Sequence, residues 1–276
     1  MKKTLAAVII PLLILSFSGL TSCKSCKSDT QKKVTNAEIE QKENLEKELQ
    51  KNVYPLPTSA EVISTLTEME VGYNLGISNP PEMAKKYFTN TKRAINLGVY
   101  GADLSYATLY NMDQQVMDYL DAIRILVTDL NMSRIYDRPL YDSIKKYFDN
   151  KDKLVKILTK AFDDTYAYMS DNDQQTLALL VVGGAWVEGM YLTCNVNEAA
   201  FNHRDFASVL LNQKKSFELY IDITQPYLED SQIGNFLRDL DPIKNVYAGI
   251  GTSLTDQNIK DITAAITLIR EKVIVP

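Results

Sequence analysis

Histidine is almost missing from this chain, one residue in 276; tryptophan is as scarce at one, and cysteine nearly so at three. A single His203 leaves little for a His-based metal site, and as a helix-entry residue it reads more readily as a cap or surface group than as a haem ligand. Any Ser-His or Cys-His mechanism would have to pass through that same residue. A di-iron bundle needs Glu-x-x-His on paired helices, and Asn202-His-Arg-Asp205 is not of that form. Three cysteines build neither a zinc cluster nor a disulfide scaffold. Only 11 Gly and 9 Pro argue against a turn-rich sandwich or barrel and for long helices. Basic residues do not exceed acidic ones, 30 Lys+Arg against 35 Asp+Glu for a net −5, so there is no footprint for nucleic acid. Gly-x-Ser-x-Gly and Walker-type loops are absent. What the chain does have is 45% hydrophobic residues, enough for a sizeable core.

The first apolar run, residues 5–15, follows Lys2 and Lys3 and ends in the small residues Ser16, Ser18 and Gly19. This is the layout of a secretory signal, too short for a comfortable bilayer span of roughly 20 residues. It closes on Leu20-Thr21-Ser22-Cys23, which resembles the lipobox of bacterial lipoproteins. The resemblance implies cleavage before Cys23, a diacylglyceryl group on its thiol and usually acylation of the new N-terminus. Each buried methylene contributes about 0.8 kcal/mol, so two or three chains such as palmitate would hold the protein on a bilayer without a transmembrane helix. Lys24, rather than Asp, follows the cysteine, and no acidic run comes after it. By resemblance that favours the outer membrane, facing the periplasm. Cys23-x-x-Cys26 has a redox spacing but no strand-helix context, and lipidation would consume Cys23. Cys194 follows an apolar helix and reads as a small buried hydrophobe. A Cys26–Cys194 disulfide is compatible with the periplasm, though nothing in the spacing asks for it.

Three segments follow: a signal peptide over 1–22, a polar lipidated tether over 23–53, and an all-helical domain over 54–276. Over residues 24–52 only Val34, Ile39, Leu45 and Leu49 are large and apolar. Pro55 and Pro57 end the tether. Thr58 and Glu61 then form a capping box ahead of Val62, Leu66, Met69 and Tyr73 on one face. Asn79-Pro80 reads as the cap and first-turn proline of the next helix. Seams of helical period run through Ile95, Val99, Ala102, Tyr106 and Leu109, and through Val116, Leu120, Ile123, Val127 and Leu130. Further helices carry Leu140, Ile144 and Phe148, then Leu154, Leu158 and Ala161, then Phe206, Leu210, Phe217 and Tyr220. The last carries Ile259, Ile262, Ile266, Ile269 and Val273, capped by Thr255. Polar breaks fall at residues 111–113 and 170–173. No comparable stretch alternates with period two. The pattern predicts an all-α, multi-helix bundle of about nine or ten helices.

Two helices differ from the rest. Residues 94–109 repeat the small residues Ala94, Gly98, Gly101 and Ser105 on one stripe, which lets a neighbouring backbone approach. Residues 177–192 are apolar all round except for Glu188, as a helix buried on every side must be. Gly183, Gly184 and Gly189 each cost up to about 1 kcal/mol of helix propensity there, which close packing would explain. At an offset of 85, Gly98, Asp103, Tyr106 and Thr108 fall on Gly183, Glu188, Tyr191 and Thr193, so a duplicated helical hairpin is a candidate architecture. The runs Gly76-Ile-Ser-Asn-Pro80, Asn96-Leu-Gly-Val-Tyr-Gly-Ala-Asp-Leu-Ser-Tyr106 and Leu180-Val-Val-Gly-Gly-Ala-Trp-Val-Glu-Gly189 resemble uncharacterised all-helical lipoproteins of the Bacteroidota. That resemblance implies a location and no catalytic residue.

Asp103 and Glu188 are the candidate site, each the lone charge of a long apolar stretch. A buried carboxylate is costly to ionise and can serve as acid, base or ligand. Tyr106 and Tyr191 lie one turn further along the same faces as ligand-binding candidates. The competing reading is structural: each carboxylate satisfied by a tyrosine, a backbone amide or an arginine such as Arg93. No residue is assigned a catalytic or metal-binding role, and no cofactor is expected. The expected function is a non-enzymatic binding or scaffold lipoprotein. Its partners would be the bilayer, through the Cys23 acyl chains, and an envelope protein or small ligand, with no nucleic acid. The alternative is a hydrolase or metal-dependent enzyme using Asp103 and Glu188. An enzyme requires the pair to line an open cavity, whereas a scaffold has both closed off by protein partners.

Overall fold

The computed structural model describes residues 72–195 and 204–276. The expected signal peptide, Cys23, Cys26, the expected tether and Thr58–Glu61 capping box, and His203 lie outside the described residues, as does the side chain of Phe206. Among the described residues there are nine α-helices and no strand, the all-α bundle that the period predicts. They are α1 (Asn90–Leu109), α2 (Asp113–Asp129), α3 (Arg138–Lys146), α4 (Lys151–Asp171), α5 (Gln175–Asn195), α6 (Arg204–Thr224), α7 (Gly234–Asp239), α8 (Asp241–Ala248) and α9 (Asp256–Ile274).

Helix starts follow the side chains. Thr89, Asp137 and Asn150 each accept a hydrogen bond from a first-turn amide. Thr255 and Asn258 close a reciprocal capping box on α9. Helix ends in this glycine-poor chain fall to Asn and Asp. Asn111, Asn131 and Asp173 adopt left-handed φ of 54°, 62° and 58°, a conformation those short polar side chains tolerate. Beyond each, an amide reaches back five residues to a helix carbonyl: Met112 to Ala107 at 2.9 Å, Met132 to Val127 at 2.7 Å and Gln174 to Met169 at 2.9 Å. The first and third fall at the polar breaks read from sequence, after α1 and α4, and the second ends α2.

The segment before α1 differs from its expectation. Asn79 is not a helix cap. Pro80 takes that position without a side-chain bond, and a short 3-10 helix runs over Pro81–Lys86. Asn79 instead spends its amide side chain on the Tyr87 hydroxyl and on Asn96.

α1 and α5 form the centre. Residues 94–109 of α1 and residues 177–188 of α5 are buried throughout. By length and composition α5 could cross a membrane, yet its apolar surface lies inside the bundle. Around this pair pack α2 on α1, α4 and α9 on both, and α6 on α5. The two central helices touch by backbone: a Cβ on Gly98 would collide with the Val181 carbonyl, and one on Gly184 with the Ile95 carbonyl. That contact is reciprocal at an offset of 86, one residue away from the offset of 85 that aligns the sequence string. A Cβ on Gly183 would meet the ring of Phe236 and the hydroxyl of Tyr220 instead, and one on Gly189 would point into open space. Close packing therefore explains two of the three α5 glycines and not the third. The small stripe of α1 also divides, Gly98 meeting α5 and Gly101 meeting the Phe162 ring of α4.

Candidate functional site

Just beyond the glycine crossing the central pair turns polar. Asp103 on α1 and Glu188 on α5 are both fully buried, and the two carboxyls abut. The structure brings together the two carboxyls that the sequence singles out. Tyr106 and Tyr191 join the same cluster, one turn further on.

Glu188 is held by an arginine, but not by Arg93. Arg270 on α9 grips it with two bonds, Nε to Oε2 at 3.0 Å and Nη2 to Oε1 at 3.1 Å. The fork geometry suits a carboxylate, and both partners are shielded from solvent. Tyr191 lies under the guanidinium with its ring centroid 4.3 Å from Cζ, a cation–π contact. Arg93 instead donates to the Tyr87 carbonyl and pairs with Asp129 near the surface.

Asp103 is held by backbone. The amide of Asn79 donates to its Oδ2 at 3.1 Å, while Oδ1 has no donor. Ser78 and Tyr73 from the same segment, with Tyr119 from α2, surround this carboxyl. The Ser78 and Tyr73 hydroxyls are buried without a hydrogen bond of their own.

A strap over residues 74–80 covers the cluster. Besides Asn79 on Asp103, the Asn74 amide donates to the Tyr106 hydroxyl at 3.0 Å, and Arg270 Nη2 donates to the Ile77 carbonyl at 3.0 Å. Tyr100 donates to the Pro80 carbonyl at 2.9 Å. Tyr73 stacks on Tyr106 with centroids 4.6 Å apart, and Tyr110 packs edge-on beside it. Beyond the strap, the terminal carbonyls of α9 accept bonds from Tyr87 and from Asn96 of α1.

The electrostatics follow from this geometry. Burial, with the neighbouring Glu188 charge, pushes the Asp103 carboxyl well above the usual carboxylate range. Burial also raises Glu188, partly offset by Arg270. Burial works against the charge on Arg270, but Glu188 outweighs it and the guanidinium holds its proton more tightly. Tyr73 is pushed up to about 12 by burial and by Asp103.

Among the described residues no cluster of three or more His, Cys, Asp or Glu could hold a metal ion. Sequence reading missed Arg270 and the strap residues Ile77, Ser78 and Asn79. Arg270 did leave a signal, as a charge one turn after Ile266 on the apolar seam of α9, and it is only 8% exposed. Searches against models of known protein families, characterised proteins and solved structures found no match to this chain.

Proposed function

We propose that this chain is a lipoprotein of the cell envelope, anchored through acyl chains on Cys23, and that its helical body is a non-enzymatic binding or scaffold module. It sits on the periplasmic face of the outer membrane and recognises an envelope protein or a small ligand there. The anchor rests on the Leu20-Thr21-Ser22-Cys23 tetrapeptide at the end of the apolar run. The non-enzymatic half rests on one observation above all: the two carboxyls that could have carried chemistry are fully buried beneath the strap. One is spent on a backbone amide and the other on a bidentate arginine. A group so engaged meets no substrate without dismantling its own supports.

Mass spectrometry of the mature protein from native envelopes tests the anchor. The expected N-terminus is an acylated Cys23, with the protein in the detergent phase and Cys23→Ala lost from it. A processed protein with a free Cys23 thiol overturns the reading. For the second half, anchored Asp103→Asn should restore the phenotype of a deletion strain as well as wild type does. Failure of a folded, anchored variant to do so would return the carboxylates to a chemical role.

A further inference from the structure

We propose that Asp103 and Glu188 form a buried site for a single proton, a carboxylic acid set against a carboxylate, and that this proton latches the strap of residues 74–80 to the bundle. The charge count carries the argument. Two carboxyls are fully buried in contact, and one guanidinium serves them. Arg270 commits Nε and one Nη2 bond to Glu188 and a further Nη2 bond to the Ile77 carbonyl, and no bond from it reaches Asp103.

The groups that face Asp103 supply no second positive charge. They are Tyr100 and Tyr106 on its own helix, Tyr73, Ser78, Asn79 and Tyr87 from the strap side, Tyr119 from α2, Glu188 from α5 and Arg270 from α9. Ionising both carboxyls leaves one uncompensated negative charge in a closed interior, which like-charge repulsion and burial both oppose. One proton on Asp103 resolves this. It turns the orphan Oδ1 into a donor toward the free lone pairs of Glu188, and leaves Oδ2 as the carbonyl acceptor for the Asn79 amide. Burial and the adjacent Glu188 charge act on Asp103 in the same direction.

The latch follows from which bonds the strap makes. Asn79, Asn74 and Ile77 are all held by this cluster or its neighbour Tyr106. When the proton leaves, hydrating the second carboxylate requires water to enter, and lifting the strap admits it while α1 and α5 stay packed through Gly98 and Gly184.

Carboxyl carbon NMR of Asp103, with hydrogen exchange at the Asn74 and Asn79 amides corrected for intrinsic rates, tests the proposal on the full chain. The expected result is a protonated Asp103 at neutral pH. Strap protection should then fall roughly tenfold per pH unit above its titration while α5 amides stay protected. Asp103→Asn, neutral at every pH and able to donate to Glu188, should keep the strap protected throughout. An Asp103 carbon that reads ionised at neutral pH overturns the proposal, as does a folded Asp103→Asn whose strap is exposed at all pH. If that variant does not fold, the wild-type carbon titration decides alone. Exchanging sodium and potassium for choline at constant ionic strength should change nothing. A cation-dependent strap would mean that a metal ion, not a proton, supplies the missing charge, and would also overturn it.

Discussion

One pair of helices is closed in two ways within a few residues. Around Gly98 and Gly184, α1 and α5 exclude water by removing side chains until backbone meets backbone. Around Asp103 and Glu188 the same helices bury two carboxyls, and these are held by hydrogen bonds from a strap and an arginine brought from elsewhere in the chain. The first closure is apolar, local to two helices and indifferent to pH. The second depends on charge balance among α1, α5, α9 and the strap. The stiff end gives the bundle its centre, and the polar end is where conditions outside the protein can act on it.

The largest effect should come from breaking the polar closure. Arg270→Met keeps the length of the side chain but leaves Glu188 buried without its partner and the Ile77 carbonyl without its donor. Removing one member of a buried pair costs about 3–5 kcal/mol, a Tm drop on the order of 10 °C for a domain of this size. With the guanidinium gone, both carboxyls hold protons more tightly in the folded than in the unfolded chain. Stability should therefore fall as pH rises from the unfolded carboxyl range toward their folded values, and recover on acidification. Thermal melts across pH check this, and a pH-independent loss would show that the arginine matters only as bulk.

Breaking the apolar closure should cost less and behave differently. Gly98→Ala places a methyl against the Val181 carbonyl, where no rotamer change relieves the clash, so the helices must separate. The expected loss is about 1–3 kcal/mol, with the same value at every pH because no ionisable group touches the site. A Gly98→Ala variant whose deficit grows with pH would mean that the two closures are one cooperative unit.

Much of this contrast is readable from sequence, because it is written locally. The seam of α9 with its Thr255 cap, the breaks at Asn111 and Asp173, and the apolar residues 177–188 around a lone Glu188 all depend on neighbours a few positions away. Asp103 and Glu188 also stand out, since each is the single charge in a long apolar stretch. Arg270 does not: its place on the apolar seam of α9 marks it for burial, but nothing local says which carboxyl it meets. Asn79 was misread for a related reason: Asn before Pro satisfies the rules for a helix cap, and only the folded chain reveals that Asp103, 24 residues on, takes its amide. The glycines show the same limit, since spacing reveals that α5 carries three but not which of them has a neighbour.

That limit yields the smallest and most discriminating prediction. Gly184 and Gly189 occupy one helix, five residues apart, and both pay the propensity cost of glycine. At Gly184 close contact with the Ile95 backbone offsets that cost, whereas a Cβ at Gly189 would meet open space. Alanine at 184 should therefore destabilise as Gly98→Ala does, while Gly189→Ala should stabilise by about 0.4–1 kcal/mol by restricting the unfolded chain and favouring the helix. Denaturant midpoints of the two variants check the sign directly. If Gly189→Ala were instead destabilising, the polar end of the helix pair would need a glycine's freedom beside Glu188. The division between a rigid crossing and a charge-balanced cover would then run through the backbone of α5 as well as its side chains.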